Sequence, residues 1–108
     1  MAMVDRFGLY LLNLDDEISD DPKNSRPCVV VSPDEMNRNI ESVIVAPVSS
    51  DLRKYPTRIS FEFLEKKRVV VLDQIRTVEK PRLFKKIGEL DSGAKERTVL
   101  VLQEMFAD

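Results

Sequence analysis

At 108 residues, 43% apolar and 33% charged, the chain has the length of one domain, residues 1–108, and the composition of a folded soluble protein rather than a disordered or fibrous one. It has no histidine, no tryptophan and one cysteine, which excludes a Ser-His-Asp triad, a Cys-His pair, a histidine acid–base pair and the usual zinc ligand sets. The formal net charge of −2 conceals acidic ends and a basic middle, so the total alone does not exclude an anionic partner.

The first element in chain order is an apolar run, residues 7–14 (FGLYLLNL), read as a strand. It is far too short to span a bilayer and is followed by acids rather than a small-residue cleavage site, so a cytoplasmic protein with no membrane contact is expected. The polar, acidic stretch DDEISDDPKNS, residues 15–25, reads as a mobile loop. A second strand is expected over residues 27–32. Cys28 lies inside it and should pack as a small hydrophobe rather than act as a nucleophile. Ser32-Pro33-Asp34-Glu35 is a helix-start pattern, with Ser32 as N-cap, Pro33 at the first helical position and Glu35 closing a capping box over a short turn, residues 34–37.

Residues 42–48 are almost all apolar and predict a strand buried on both faces. Residues 57–63 alternate, with Ile59, Phe61 and Phe63 on one side and Arg58, Ser60 and Glu62 on the other, as in a strand with one wet face. Residues 68–73 supply another buried strand. Residues 81–87 suggest a brief helix with Leu83 and Ile87 on one face, ended near Gly88. The last element is a helix from Asp91, its N-cap, to Phe106, with Ala94, Thr98, Val101, Leu102, Met105 and Phe106 along one face. Many short antiparallel strands followed by a helix describe an α+β fold built on a small barrel.

The basic residues Arg53, Lys54, Arg58, Lys66, Lys67, Arg68, Arg76, Lys80, Arg82, Lys85 and Lys86 fall in the later half, opposite the early acids Asp15, Asp16, Glu17, Asp20 and Asp21. Solvated faces explain most such runs. The functional alternative is a groove for phosphates beside an acidic loop.

Three segments resemble the MazF/PemK family of toxins in order, spacing and residue type. RFGLYLLNLD, residues 6–15, is similar to the family's opening strand, and SRPCVVVSPDEMN, residues 25–37, to its Arg-Pro strand. VIVAPVSSD, residues 43–51, resembles the family's strand ending in a hydroxyl pair; RVVVLDQIRTVEKPRLFKKIGEL, residues 68–90, resembles its Asp-Gln-x-Arg-Thr segment. Three positions depart from the pattern. The loop EISDDPKNSRP lacks the usual glycines, Val71 stands where PemK-type members place an arginine, and the histidine some members carry is absent.

The resemblance implies an SH3-like antiparallel β-barrel with short helices and a C-terminal α-helix, acting as a homodimer that cuts single-stranded RNA and is blocked by a cognate antitoxin. No cofactor or metal is implied. Carried over position by position, Arg26 matches the catalytic arginine and Ser49 the catalytic hydroxyl. Ser50 is the alternative hydroxyl, and Arg53, Lys54, Asp73, Gln74, Arg76 and Lys80 are candidate RNA contacts. Each also has a structural reading: Arg26 as a surface residue before a strand, Ser49 as a turn residue, and Asp73, Gln74 and Arg76 as a polar network. Two functional alternatives stay open, a gyrase-poisoning toxin of the CcdB kind and a non-catalytic RNA- or antitoxin-binding module. The first is weakened because such toxins carry a C-terminal tryptophan.

Overall fold

The computed structural model of the protein describes residues 3–14 and 24–108. The expected loop at residues 15–25 therefore lies, for residues 15–23, outside the described residues. Seven strands and two helices follow in the order β1 (Gly8–Asn13), β2 (Ser25–Val30), α1 (Asp34–Asn39), β3 (Ser42–Ser49), β4 (Arg58–Phe63), β5 (Lys66–Val71), β6 (Arg76–Glu79), β7 (Leu83–Glu89) and α2 (Ser92–Phe106). Short 3₁₀ turns at Leu72–Gln74 and Lys80–Arg82 flank β6.

All pairings are antiparallel, in the order β4-β5-β3-β2-β1-β7, with β6 added to β3. The sheet curls until its ends meet: a Cβ at Gly88 on β7 would fall 2.7 Å from the Phe63 ring on β4, so a side chain there would have to displace the ring. This is the expected α+β small barrel. Successive residues on a strand point to opposite faces, and here both faces are covered. Leu9, Val29, Ala46, Phe61 and Val70 pack into one core with Leu90 and Ala94, while Tyr10, Cys28, Val30, Val43 and Val45 pack with Leu83 into another. Each buried Val, Leu or Phe side chain contributes about 1.5–3 kcal/mol. The two-sided burial read from residues 42–48 is what β3, at the centre of the sheet, displays.

Three expectations need correction. Residues 81–87 do not form a helix: Leu83–Glu89 is β7, and it pairs along β1 with two register irregularities. A spacing of four fits one face of a helix or of a regular strand; the free edge of β1 decides for the strand, in which the irregular register sends Leu83 into one core and Ile87 against the other. Ser32 does not cap α1. Its hydroxyl accepts from the Ile44 N–H at 3.0 Å and bonds Asn37 Oδ1 at 2.5 Å, and Pro33 occupies the capping position with no side-chain bond. That polar link ties α1 to β3 instead, and α1 runs on to Asn39. Phe106 is 71% exposed rather than on the buried face, because it closes α2 beyond the core that Met105 still reaches. The start of α2 is as expected, with Asp91 Oδ1 accepting from the Ala94 N–H at 2.9 Å.

Candidate functional site

Strand β2 carries an arginine and then Pro27, Cys28, Val29 and Val30, so its N-terminal end is polar while the rest is core. The cross-strand pairs Leu12 with Arg26, Cys28 with Pro47, and Val45 with Arg76 put these six side chains on one face of the sheet. Pairing of β2 with β3 stops at Cys28–Pro47, and β3 continues against β5, where Ser49 faces Val69. Pro47 has no N–H to offer a ladder. Where the strands part, a cavity of about 220 Å³ opens, lined by buried Cys28 and Val45 and by exposed Arg26, Gln74 and Arg76.

Among the described residues, the cavity lining holds two guanidinium groups and no carboxylate. Arg26 Nη1 donates to the Ser25 carbonyl at 2.9 Å, which leaves the rest of its fork of donors for a ligand. Burial pushes the Cys28 thiol up to about 12, with Arg76 pulling weakly the other way, so the group is a neutral thiol near neutral pH. As read from the sequence, Cys28 is core. Among the described residues, no three of His, Cys, Asp and Glu stand close enough together to hold a metal ion.

The structure thus brings Arg26, Gln74 and Arg76 together. Ser49 ends β3, half-buried, on the side of the strand that Pro47 shares by alternation, but it is not on the cavity wall. Its Oγ accepts from the Asp51 N–H at 3.0 Å, which leaves the hydroxyl proton free to donate. Ser50 follows, exposed. Arg53 is forked on Asp51, with Nη2 at 2.6 Å from Oδ2, in a solvent-facing pair that lowers the Asp51 pKa. Lys54 lines a different hollow, with Lys67, Glu62 and Arg97. Lys80 stands beside Glu41 and Ser42, at the opposite end of β3 from Ser49.

Asp73 turns away from Gln74 and Arg76 and into a separate array. Thr57 Oγ1 donates to Asp73 Oδ1 at 2.8 Å, and Arg58 Nε donates to the same oxygen at 3.3 Å. The Arg58 guanidinium, then the Thr57 hydroxyl, hold the Asp73 carboxyl below its ordinary value. Arg58 also lies over the Tyr55 ring, 4.5 Å from its centroid. In the sequence Arg58 was legible as a wet-face residue and as one of the basic run, not as a partner of Asp73. Its register partner is Val71, so a guanidinium reaches this region from the neighbouring strand although position 71 carries none.

A family model described as "PemK-like, MazF-like toxin of type II toxin-antitoxin system" matches residues 5–106. The chain belongs to this family. Among MazF/PemK relatives, the protein named endoribonuclease EndoA from Bacillus subtilis (strain 168) is 30% identical over 97% of this chain and 96% of its own length. The endoribonuclease MazF of Staphylococcus epidermidis is 33% identical over 79% of this chain and 76% of its own. The fold is shared with solved MazF structures: a MazE–MazF crystal structure from Deinococcus radiodurans superposes with a TM-score of 0.79 at 21% identity, over 97% of this chain and 96% of that one. An endoribonuclease from a mycobacterial species, solved in complex with its cognate antitoxin, gives 0.78 at 20% identity, over 94% and 92%.

Proposed function

We propose that this MazF/PemK-family toxin is an endoribonuclease that cleaves single-stranded RNA at a short sequence without a metal, using Arg26 and Ser49. The observation that carries the reading is the cavity where β2 and β3 part, with the Arg26 and Arg76 guanidinium groups on one wall. The RNA brings its own nucleophile. Its 2′-oxygen bonds to the adjacent phosphorus as the bond from phosphorus to the 5′-oxygen breaks; the 2′-hydroxyl releases a proton and the departing 5′-oxygen takes one up. The products are a 2′,3′-cyclic phosphate and a 5′-hydroxyl. Charge building on the non-bridging oxygens meets the Arg26 fork, and Ser49 donates its hydroxyl to a phosphate oxygen. A guanidinium stays protonated near neutral pH, so Arg26 acts by electrostatic stabilisation rather than by giving up a proton.

Arg76 and Gln74 add contacts to the same strand of RNA; Ser50, Arg53 and Lys54 lie on the loop side of β3, and Lys80 at its far end. The toxin forms a homodimer and is neutralised by a cognate antitoxin in the cytoplasm. The solved relatives with antitoxin bound support the second point, and exposed Leu52 and Leu100 offer apolar surface for the first. Among the described residues no helix is long and apolar enough to cross a membrane. The gyrase-poisoning and non-catalytic alternatives gain nothing from the family match or from the two relatives, both named endoribonucleases.

The test is incubation of purified protein with a long single-stranded RNA in excess EDTA, followed by chemical analysis of the product ends. Discrete cuts bearing cyclic phosphate and 5′-hydroxyl termini are expected. Intact RNA, or cutting that requires an added divalent ion, would sink the reading.

A further inference from the structure

The loop that leads into β4 and the turn that follows β5 form an array next to the Arg26 cavity in the chain. Tyr55, 46% exposed, has the Arg58 guanidinium over its ring. Arg58 Nε and Thr57 Oγ1 both donate to Asp73 Oδ1, and no side chain among the described residues donates to Oδ2. The Arg58 side chain is 17% exposed and that of Asp73 36%, so the guanidinium is the support and the carboxylate the presented group. Asp73 shares its 3₁₀ turn with Gln74, which lines the Arg26 cavity.

We propose that Tyr55 and Asp73 form a base-reading subsite that accepts a nucleobase with an exocyclic amino group and disfavours uracil. The proposal rests on the ribonuclease reading above and names a specificity determinant for it. An aromatic face stacks on an unpaired base of any kind, so Tyr55 supplies affinity without choice. Choice comes from Asp73. An ionised carboxylate only accepts hydrogen bonds, and adenine, cytosine and guanine each present an amino group to it. Uracil presents one N–H flanked by two carbonyl oxygens, which face a fixed negative charge. Arg58 and Thr57 are positioning residues: they occupy Oδ1 and leave Oδ2 as the reading atom.

The bland alternative is a structural clamp that joins β4 to the turn. Asp73→Asn separates the two, because Arg58 Nε can only donate and so keeps the amide oxygen where Oδ1 stood. The amide Nδ2 then replaces Oδ2, turning the presented acceptor into a donor while the clamp survives.

Wild-type and Asp73→Asn proteins are given a randomised single-stranded RNA pool, and the 5′ ends of the products are sequenced. At one position of the wild-type site uracil should be depleted about tenfold or more, as expected for one charge-assisted hydrogen bond. In Asp73→Asn that depletion should vanish or reverse, with the other positions unchanged. An unchanged site in the variant, or a wild-type site that tolerates uracil at every position, overturns the subsite while leaving the ribonuclease intact. A wild-type protein that cuts nothing removes the ribonuclease reading, and the subsite with it. If Asp73→Asn proves misfolded by circular dichroism, Tyr55→Ala carries the test: KM on the best oligonucleotide should rise about tenfold with kcat held, and an unchanged KM overturns the proposal.

Discussion

Arg58 Nε stands 3.3 Å from Asp73 Oδ1, so a side chain at the start of β4 holds the turn that follows β5. Arg58 keeps the Asp73 carboxyl below the ordinary aspartate value of about 3.9. A carboxyl whose folded value lies below its unfolded one binds fewer protons when folded. Its stabilisation is therefore present above about pH 4 and is lost as pH falls through the folded value. Asp73→Asn should melt slightly below wild type at pH 7, the drop being small because the pair is partly solvent-screened. The gap should close on acidification to about pH 2. A gap of equal size at both pH values would show that the charge on Asp73 contributes nothing.

Arg76 lines the cavity with Arg26 and has no carboxylate partner among the described lining residues. If it meets a phosphate, Arg76→Ala should weaken binding of a single-stranded RNA by about tenfold at low salt. It should also flatten the plot of log affinity against log salt concentration by about 0.7, the effect of losing one phosphate contact. Fluorescence anisotropy across a KCl series measures both. Parallel lines for wild type and variant would place Arg76 outside the phosphate path.

The hairpin from β4 to β5 turns on Leu64 and Glu65, both with left-handed backbones, φ 51° and 64°, between the pair Phe63 and Lys66. Two positive φ values define a primed turn that matches strand twist, and Asn-Gly adopts it with least strain. The double substitution Leu64→Asn, Glu65→Gly should raise stability by about 1 kcal/mol and the melting temperature by about 4 °C. Denaturant unfolding at constant slope checks this, and a lower midpoint would contradict it.

The hairpin also shows where sequence reading reached its limit. Leu64 and Glu65 carry no turn signature, so only the pairing of Phe63 with Lys66 fixes the bend. The two-face burial of β3 was legible because an unbroken apolar run leaves no side for water, and the α2 cap was legible because Asp91 acts on its own backbone neighbourhood. β7 was not, since a spacing of four between Leu83 and Ile87 suits both periods and the vacant edge of β1 lies far away in the chain. β6, only four residues long, was missed for the same non-local reason. In the site, Arg26 was found through the Arg-Pro resemblance; Arg76 joins it by its register with Val45, and Gln74 from the 3₁₀ turn before β6. The grouping of Tyr55, Thr57 and Arg58 around Asp73 needed that register and left no local trace.

In the proposed mechanism Arg26 stabilises charge on the phosphate being cut. Single-turnover cleavage of one defined single-stranded oligonucleotide in EDTA, by wild type, Arg26→Ala and Arg26→Lys, tests it most directly. Loss of one such donor from a site of this kind costs about a hundredfold or more in rate, so Arg26→Ala should fall by at least that factor while its melting temperature stays near wild type. Arg26→Lys, which keeps the charge but loses the fork, should fall between the two. An Arg26→Ala protein that cuts at the wild-type rate would contradict the account.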